Sequence, residues 1–181
     1  MPGFEKLGER ELYRAHSIWL GEATFRGPDG AEFTRDIVHH PGAVSVVPVL
    51  DDGRVVMIRQ FRAPIDGDLL EIPAGKRDVD GEPPDITARR ELEEEVGLLA
   101  GNVELLVEFY NSPGFCDEHS YAFLATGLTQ CERQPIGPEE SAMTIEYIDL
   151  DDVPRLMAAG QLVDAKSIIA LLVARERLAK Q

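Results

Sequence analysis

Residues 89–98 read RRELEEEVGL, and the spacing of their glutamates is the first sign of chemistry in the chain. Glu91, Glu94 and Glu95 stand at i, i+3 and i+4, which on an α-helix places three side chains on one face, while Glu93 points elsewhere. Leu92 and Val96 make an apolar stripe beside them, so a helix here buries one side and presents three carboxylates on another. Like charges at this spacing oppose the helix by roughly 0.2–0.5 kcal/mol per pair at an exposed surface. In a cleft the repulsion grows and at least one pKa rises. A hard divalent cation removes the repulsion and uses the same oxygens as ligands. Mg²⁺ takes one or two carboxylates and completes its octahedron with waters or substrate phosphates. Taken alone, the pattern is equally that of a solvated acidic face.

The elements that must position this helix follow from periodicity and punctuation. DITARRELEEEVGL is helical, with Asp85 or Thr87 as its cap and Gly97 as its stop. Before it, AVSVVPVL and RVVMIRQF are β-rich runs joined by DDG, a strong hairpin signal, and LLEIPAG is a short strand running into a loop. After it, VELLVEFY, SYAFLATGL and MTIEYIDL are strands. DDVPRLMAAG reads as a short helix with Pro154 in its first turn and Gly160 past its end. DAKSIIALLVARERLAK is a longer amphipathic helix with basic residues toward its C-terminus, as the helix dipole favours. Upstream, residues 11–25 and FTRDIVHH form a hairpin about the turn RGPDGAE, too poor in core residues to stand alone. It packs on the main domain or on a second copy. The order of elements implies a mixed sheet between helices and not a regular βαβ series.

Composition narrows the classes of function. The 181 residues carry a formal net charge of −15. That opposes non-specific nucleic-acid binding and adhesion to anionic membranes, but not a small anionic ligand met by local arginines or bound cations. No apolar run is long enough to span a bilayer, and the N-terminus lacks the pattern of a signal peptide. Cys116 and Cys131 make neither a disulfide framework nor a metal spacing, nor do His16, His39, His40 and His119. The expected location is the cytoplasm.

The wider window EIPAGKRDVDGEPPDITARRELEEEVGL closely resembles the signature of the Nudix hydrolases: a glycine, a spacer, a glutamate, seven residues, then Arg-Glu-apolar-any-Glu-Glu-any-Gly-apolar. Gly75 and Glu82 are the first two fixed positions, and Arg90 to Leu98 match the second half throughout. One departure is a spacer of six residues, KRDVDG, where five is usual. The insertion falls in a loop and leaves the helix in register. It opens Glu82's role to Asp78 or Asp80. The resemblance implies an α+β fold: a Nudix-type α/β/α sandwich with a mixed central sheet over 42–181, preceded by a small N-terminal antiparallel β extension over 1–41. It implies Mg²⁺, with Mn²⁺ as substitute, held by Glu91, Glu95, Glu94 and the carbonyl of Ala74. Glu94 and Glu95 would then be catalytic, Arg90 would orient the acidic cluster by pairing with Glu82, and Gly75 and Gly97 would have backbone roles.

Further residues resemble the ADP-ribose pyrophosphatase branch of that family. Pro113 lies fifteen residues past Leu98, in NSPGFCDE, and IRQFRAP brings Arg59 and Arg62 to a strand end. By this resemblance Arg59 and Arg62 contact phosphate or the terminal ribose, and Glu71 meets a ribose or a metal-bound water. GPEESAMTIEY is similar to a mobile acidic loop in which Glu139 or Glu140 is the base or a further ligand. The β extension is implied to exchange between two subunits of a homodimer. There Trp19 would stack on adenine, or simply anchor an interface, and Arg35 would reach phosphate. The activity implied is hydrolysis of ADP-ribose to AMP and ribose 5-phosphate. The rival readings are another nucleoside diphosphate sugar (GDP-mannose, ADP-glucose), an oxidised nucleoside triphosphate, or a sensor that binds without cutting.

Overall fold

The strands that bury both faces, Ala43–Pro48 and most of Arg54–Arg62, are those where β-branched and other apolar residues run together. The computed structural model describes residues 3–180. The chain divides into two compact units: the N-terminal stretch to Gly42 together with Tyr110–His119, and Ala43–Phe109 together with Ser120–Gln181.

The first unit is a three-stranded antiparallel sheet in the order β1 (Glu5–Arg14), β2 (Trp19–Arg26), β3 (Glu32–His39). The expected turn at 27–31 is present, closed by bonds from the Gly27 and Gly30 amides. The strand-rich run 11–25 is broken at 15–18: its first residues end β1, which begins upstream at Glu5, and the rest lie in β2. The segment 110–119 belongs to this unit because the Val38 amide donates to the Phe115 carbonyl and the Asp117 amide to the Val38 carbonyl. His39 completes the clasp, with Nδ1 2.5 Å from Asp117 Oδ2 and Nε2 2.6 Å from Glu9 Oε1.

The second unit holds a four-stranded sheet in the order β7 (Ala74–Lys76), β4 (Ala43–Pro48), β9 (His119–Gln130), β8 (Leu98–Tyr110). It is mixed, since β4 runs parallel to β9 and antiparallel to β7. A three-stranded antiparallel sheet has the order β10 (Thr144–Asp149), β5 (Arg54–Arg62), β6 (Gly67–Glu71). The DDG hairpin is therefore a correction. The turn forms, with the Leu50 amide donating to Arg54 and the Gly53 amide to Leu50, but β4 and β5 part into different sheets after a single bridge between Val49 and Val55. Each strand has better partners elsewhere.

Alternation along β4 and β5 sorts side chains to two cores. Val44, Val46, Val56 and Ile58 pack with Ala88, Leu92 and Val96 of helix α1 (Pro84–Val96). Val47, Val55 and Met57 pack with Leu156 of α3 (Val153–Ala158) and Leu171 and Ala174 of α4 (Ala165–Leu178). A short helix α2 (Pro138–Ala142) lies in the loop before β10. Helices thus cover both sides of the strands, as the α+β reading requires. No helix among the described residues is long and apolar enough to cross a membrane.

Candidate active site

Helix α1 starts at Pro84, with its fixed φ in the first turn, and Pro83 as the cap residue. Neither Asp85 nor Thr87 caps it; the Thr87 hydroxyl instead donates to the Pro83 carbonyl at 3.2 Å. Gly97 ends the helix in the left-handed conformation at φ 67°, as expected. A side chain there would also meet the Cys131 carbonyl at 2.8 Å, so both space and φ require glycine.

The acidic face is more enclosed than a solvated ridge. Glu91 is 8% exposed and Glu95 2%. Burial pushes the Glu91 carboxyl up to about 7, against the pull of Arg90 and with Glu94 and Glu140 adding repulsion. Burial pushes Glu95 up to about 8, eased by the Ala74 amide and worsened by Glu91 and Glu140. The Ala74 N–H donates to Glu95 Oε2 at 2.9 Å. β7 lies against this face, and a Cβ on Gly75 would fall 1.9 Å from the Glu91 carboxyl carbon.

Arg90 is the local counter-charge. Its Nη1 lies 2.9 Å from both Glu91 Oε1 and Glu94 Oε2, and its Nη2 3.4 Å from Glu82 Oε2 and 3.8 Å from Asp78 Oδ1. The extra spacer residue therefore leaves Glu82 in reach of Arg90, with Asp78 as a looser partner. Arg90 Nε is buried without a partner. The three carboxylates share one side of α1 but are engaged separately. Glu91 and Glu94 turn to Arg90 and Glu95 to the Ala74 amide, and among the described residues no three acidic, His or Cys side chains converge as metal ligands. The donor set still suits a hard divalent cation. It consists only of oxygens, and two of its carboxylates are buried, crowd each other and feel Glu140 as well.

Of the two acidic-loop candidates, Glu140 is the one whose charge reaches Glu91 and Glu95. Its carboxylate accepts from the Ile136 amide at 2.6 Å. Glu139 sits in the same short helix with an exposed side chain. Arg133, which no pattern in the sequence marks, ties this loop to α1 by donating to the carbonyls of Glu95 at 2.5 Å and Glu140 at 3.2 Å.

Arg59 and Arg62 part company. Arg62 meets Glu71 as a fork, Nε to Oε1 at 2.7 Å and Nη2 to Oε2 at 2.6 Å, and lies within the field of Glu95. Arg59 pairs with Glu146 at 2.6 Å and lines a separate cleft with Asp68, Leu156 and Gln161. Glu71, expected to meet a ribose or a water, is wholly buried, with its oxygens taken by Arg62 and Lys166. Burial alone would raise its pKa, but Arg62 and Lys166 outweigh it and hold the carboxyl below its usual range. Lys166 was missed; its only mark is a cation in the first turn of α4, where the helix dipole disfavours one.

Trp19, Arg35 and Pro113 fall in the first unit. Trp19 stacks on His39 with centroids 3.8 Å apart, and the Arg14 guanidinium lies 5.4 Å from its ring centre. Arg35 and Pro113 line one cavity of about 420 Å³ with Phe25, Tyr110 and Phe115.

A loop, a helix with buried glutamates and a second acidic loop define an oxygen-rich, acidic centre in the second unit. Residues 39–171 match the family model described as "NUDIX domain". The chain is 40% identical over 165 residues to an ADP-ribose pyrophosphatase of Bacillus subtilis, covering 91% of this chain and 89% of the relative. It is 38% identical to an ADP-ribose pyrophosphatase of Mycobacterium tuberculosis, covering 93% and 82%. A solved structure described as "Crystal structure of ADP compounds hydrolase" superposes with a TM-score of 0.86 at 21% identity, covering 98% of this chain and 95% of that one, and so shares its fold. The chain belongs to the Nudix family.

Proposed function

We propose that the chain hydrolyses the diphosphate linkage of ADP-ribose to AMP and ribose 5-phosphate, in the cytoplasm and as a homodimer. The observation that carries this reading is the pair of buried carboxyls, Glu91 and Glu95, held against Gly75 and beside Arg62. Glu91, Glu94, Glu95 and the Ala74 carbonyl are the groups to hold Mg²⁺, with Mn²⁺ as substitute. A bound divalent cation supplies screening of the diphosphate charge and a more acidic water. Arg90 keeps Glu91 and Glu94 aimed from one side, with Glu82 fixing the guanidinium in turn. Glu140 is the better candidate of the two loop acids to accept the proton of the attacking water, because it shares a field with Glu91 and Glu95. Arg62 presents a planar fork suited to phosphate oxygens. Trp19, Arg35 and Pro113 as contacts of the nucleotide, and Arg59 as a contact of phosphate or ribose, rest on resemblance alone. Dimerisation through the N-terminal unit is supported by its exposed apolar residues, among them Phe4 and Tyr13.

The test is product analysis with ADP-ribose, GDP-mannose, ADP-glucose and oxidised dGTP, each with Mg²⁺, Mn²⁺ and a chelator. ADP-ribose should be cut fastest, to AMP, and only with metal. Preferred cleavage of another member of the panel, or metal-dependent binding without products, refutes the assignment.

A further inference from the structure

Glu71 is a carboxylate with no exposed surface and two cations, and the two are held differently. Arg62 reaches it from β5 with 38% of its side chain exposed, whereas Lys166 reaches it from α4 with 15% exposed. Lys166 is also fixed from behind. Its Nζ lies 2.9 Å from Asp164 Oδ2, and Asp164 caps α4 by accepting from the Ser167 amide at 3.0 Å. Ser167 in turn accepts from the Ile72 amide at 2.8 Å, so the helix start is pinned to the residue that follows Glu71. Lys166 opposes the dipole of its own helix, and the carboxylates of Glu71 and Asp164 offset that cost.

A buried carboxylate stripped of its only partner is strongly destabilising, so an arginine that alone neutralised Glu71 would be locked to it. With Lys166 resident, the outer cation is released at much smaller cost. We propose that Lys166 is a positioning residue: it holds the Glu71 charge so that Arg62 is free to swing from Glu71 onto the diphosphate of a bound substrate. This rests on the reading that a nucleoside diphosphate enters beside Glu95. The fork that now grips two carboxylate oxygens has the geometry to grip two phosphate oxygens instead.

The experiment compares the wild-type chain with K166R, K166M, E71Q and E71Q/K166M. It uses steady-state kinetics on ADP-ribose and calorimetric titration of inorganic pyrophosphate with Mg²⁺, with thermal unfolding alongside. K166M should raise KM and weaken pyrophosphate binding by about tenfold, with kcat within about twofold. K166R should restore both. In the E71Q background, where no carboxylate retains Arg62, K166M should change neither quantity, a comparison that holds even if K166M alone fails to fold. A K166M chain with a lowered Tm and unchanged KM, a fall in kcat at constant KM, or equal effects of K166M in both backgrounds overturns the proposal. If the wild-type chain leaves ADP-ribose intact, the functional reading fails, and the pyrophosphate titration still decides the role of Lys166.

Discussion

The carboxyl carbon of Glu91 lies 1.9 Å from the point where residue 75 would carry a Cβ, so a missing side chain on one strand makes the room for an acid on the facing helix. Val44 of β4 pairs with Gly75, which fixes that strand at this height against α1. Gly75→Ala should therefore displace Glu91 with little loss of the sheet. We expect kcat/KM on ADP-ribose to fall about 10²-fold, the scale of a misplacement near 1 Å at a reacting centre. Steady-state kinetics with a parallel melting curve measures it; a fully active alanine variant would show that Glu91 needs no fixed seat.

Glu95→Gln removes a carboxyl that can ionise to meet a cation, while keeping an oxygen acceptor for the Ala74 amide. Turnover should drop by about 10³-fold or more, on the scale of removing one electrostatic catalytic group. The metal-free protein should melt no lower than wild type, because burial already works against the charged form. Kinetics and calorimetry on the same preparation separate the two effects.

Stability of the metal-free chain should fall with rising pH. Glu91 at about 7 and Glu95 at about 8 hold protons in the folded state at pH values where an unfolded carboxyl near 4.5 has lost them. The folded state therefore binds more protons, and the advantage is lost from about pH 4.5 upward through about pH 8. Glu71, with its lowered pKa, acts in the opposite sense and only in acid. Added Mg²⁺ should raise Tm more at pH 8.5 than at pH 5.5 and release protons on binding. A metal shift independent of pH would argue against these two carboxylates as its ligands.

Glu140→Gln should lower kcat by at least about tenfold, within the range of a general-base contribution. Glu139→Gln should stay within about twofold, as for an exposed loop acid. Equal losses in the two variants would remove the distinction drawn from the shared field of Glu140, Glu91 and Glu95.

Leu92→Ala tests the helix that carries the site. Leu92 is wholly buried, and its truncation should cost about 2–5 kcal/mol, readable in chemical denaturation. A cost near zero would mean that α1 is not seated as described.

Much of this site was legible in the sequence because its key spacing is local. A helix converts i, i+3 and i+4 into one face without help from the rest of the chain, and Gly97 ends it by its own φ. The Arg90–Glu82 pair was likewise within reach of the motif, and the extra spacer residue did not disturb it. What could not be read is set by residues distant in sequence. DDG marks a turn, yet whether β4 and β5 stay paired depends on β9 and β10, which compete for them from far along the chain. The enclosure of Glu71 comes from Lys166, 95 positions later. The β1 strand, charged along much of its length, has no apolar alternation to betray it; only its pairing with β2 makes it a strand.

The strand that carries Arg59 and Arg62 owes one neighbour to β6, made soon after it, and the other to β10, which begins at Thr144. A nascent chain whose residues beyond 143 are still inside the ribosome thus leaves β5 with a bare edge of unpaired amides and carbonyls, the kind of edge that recruits foreign strands. Any pause in synthesis before Thr144–Asp149 has emerged would prolong that exposure.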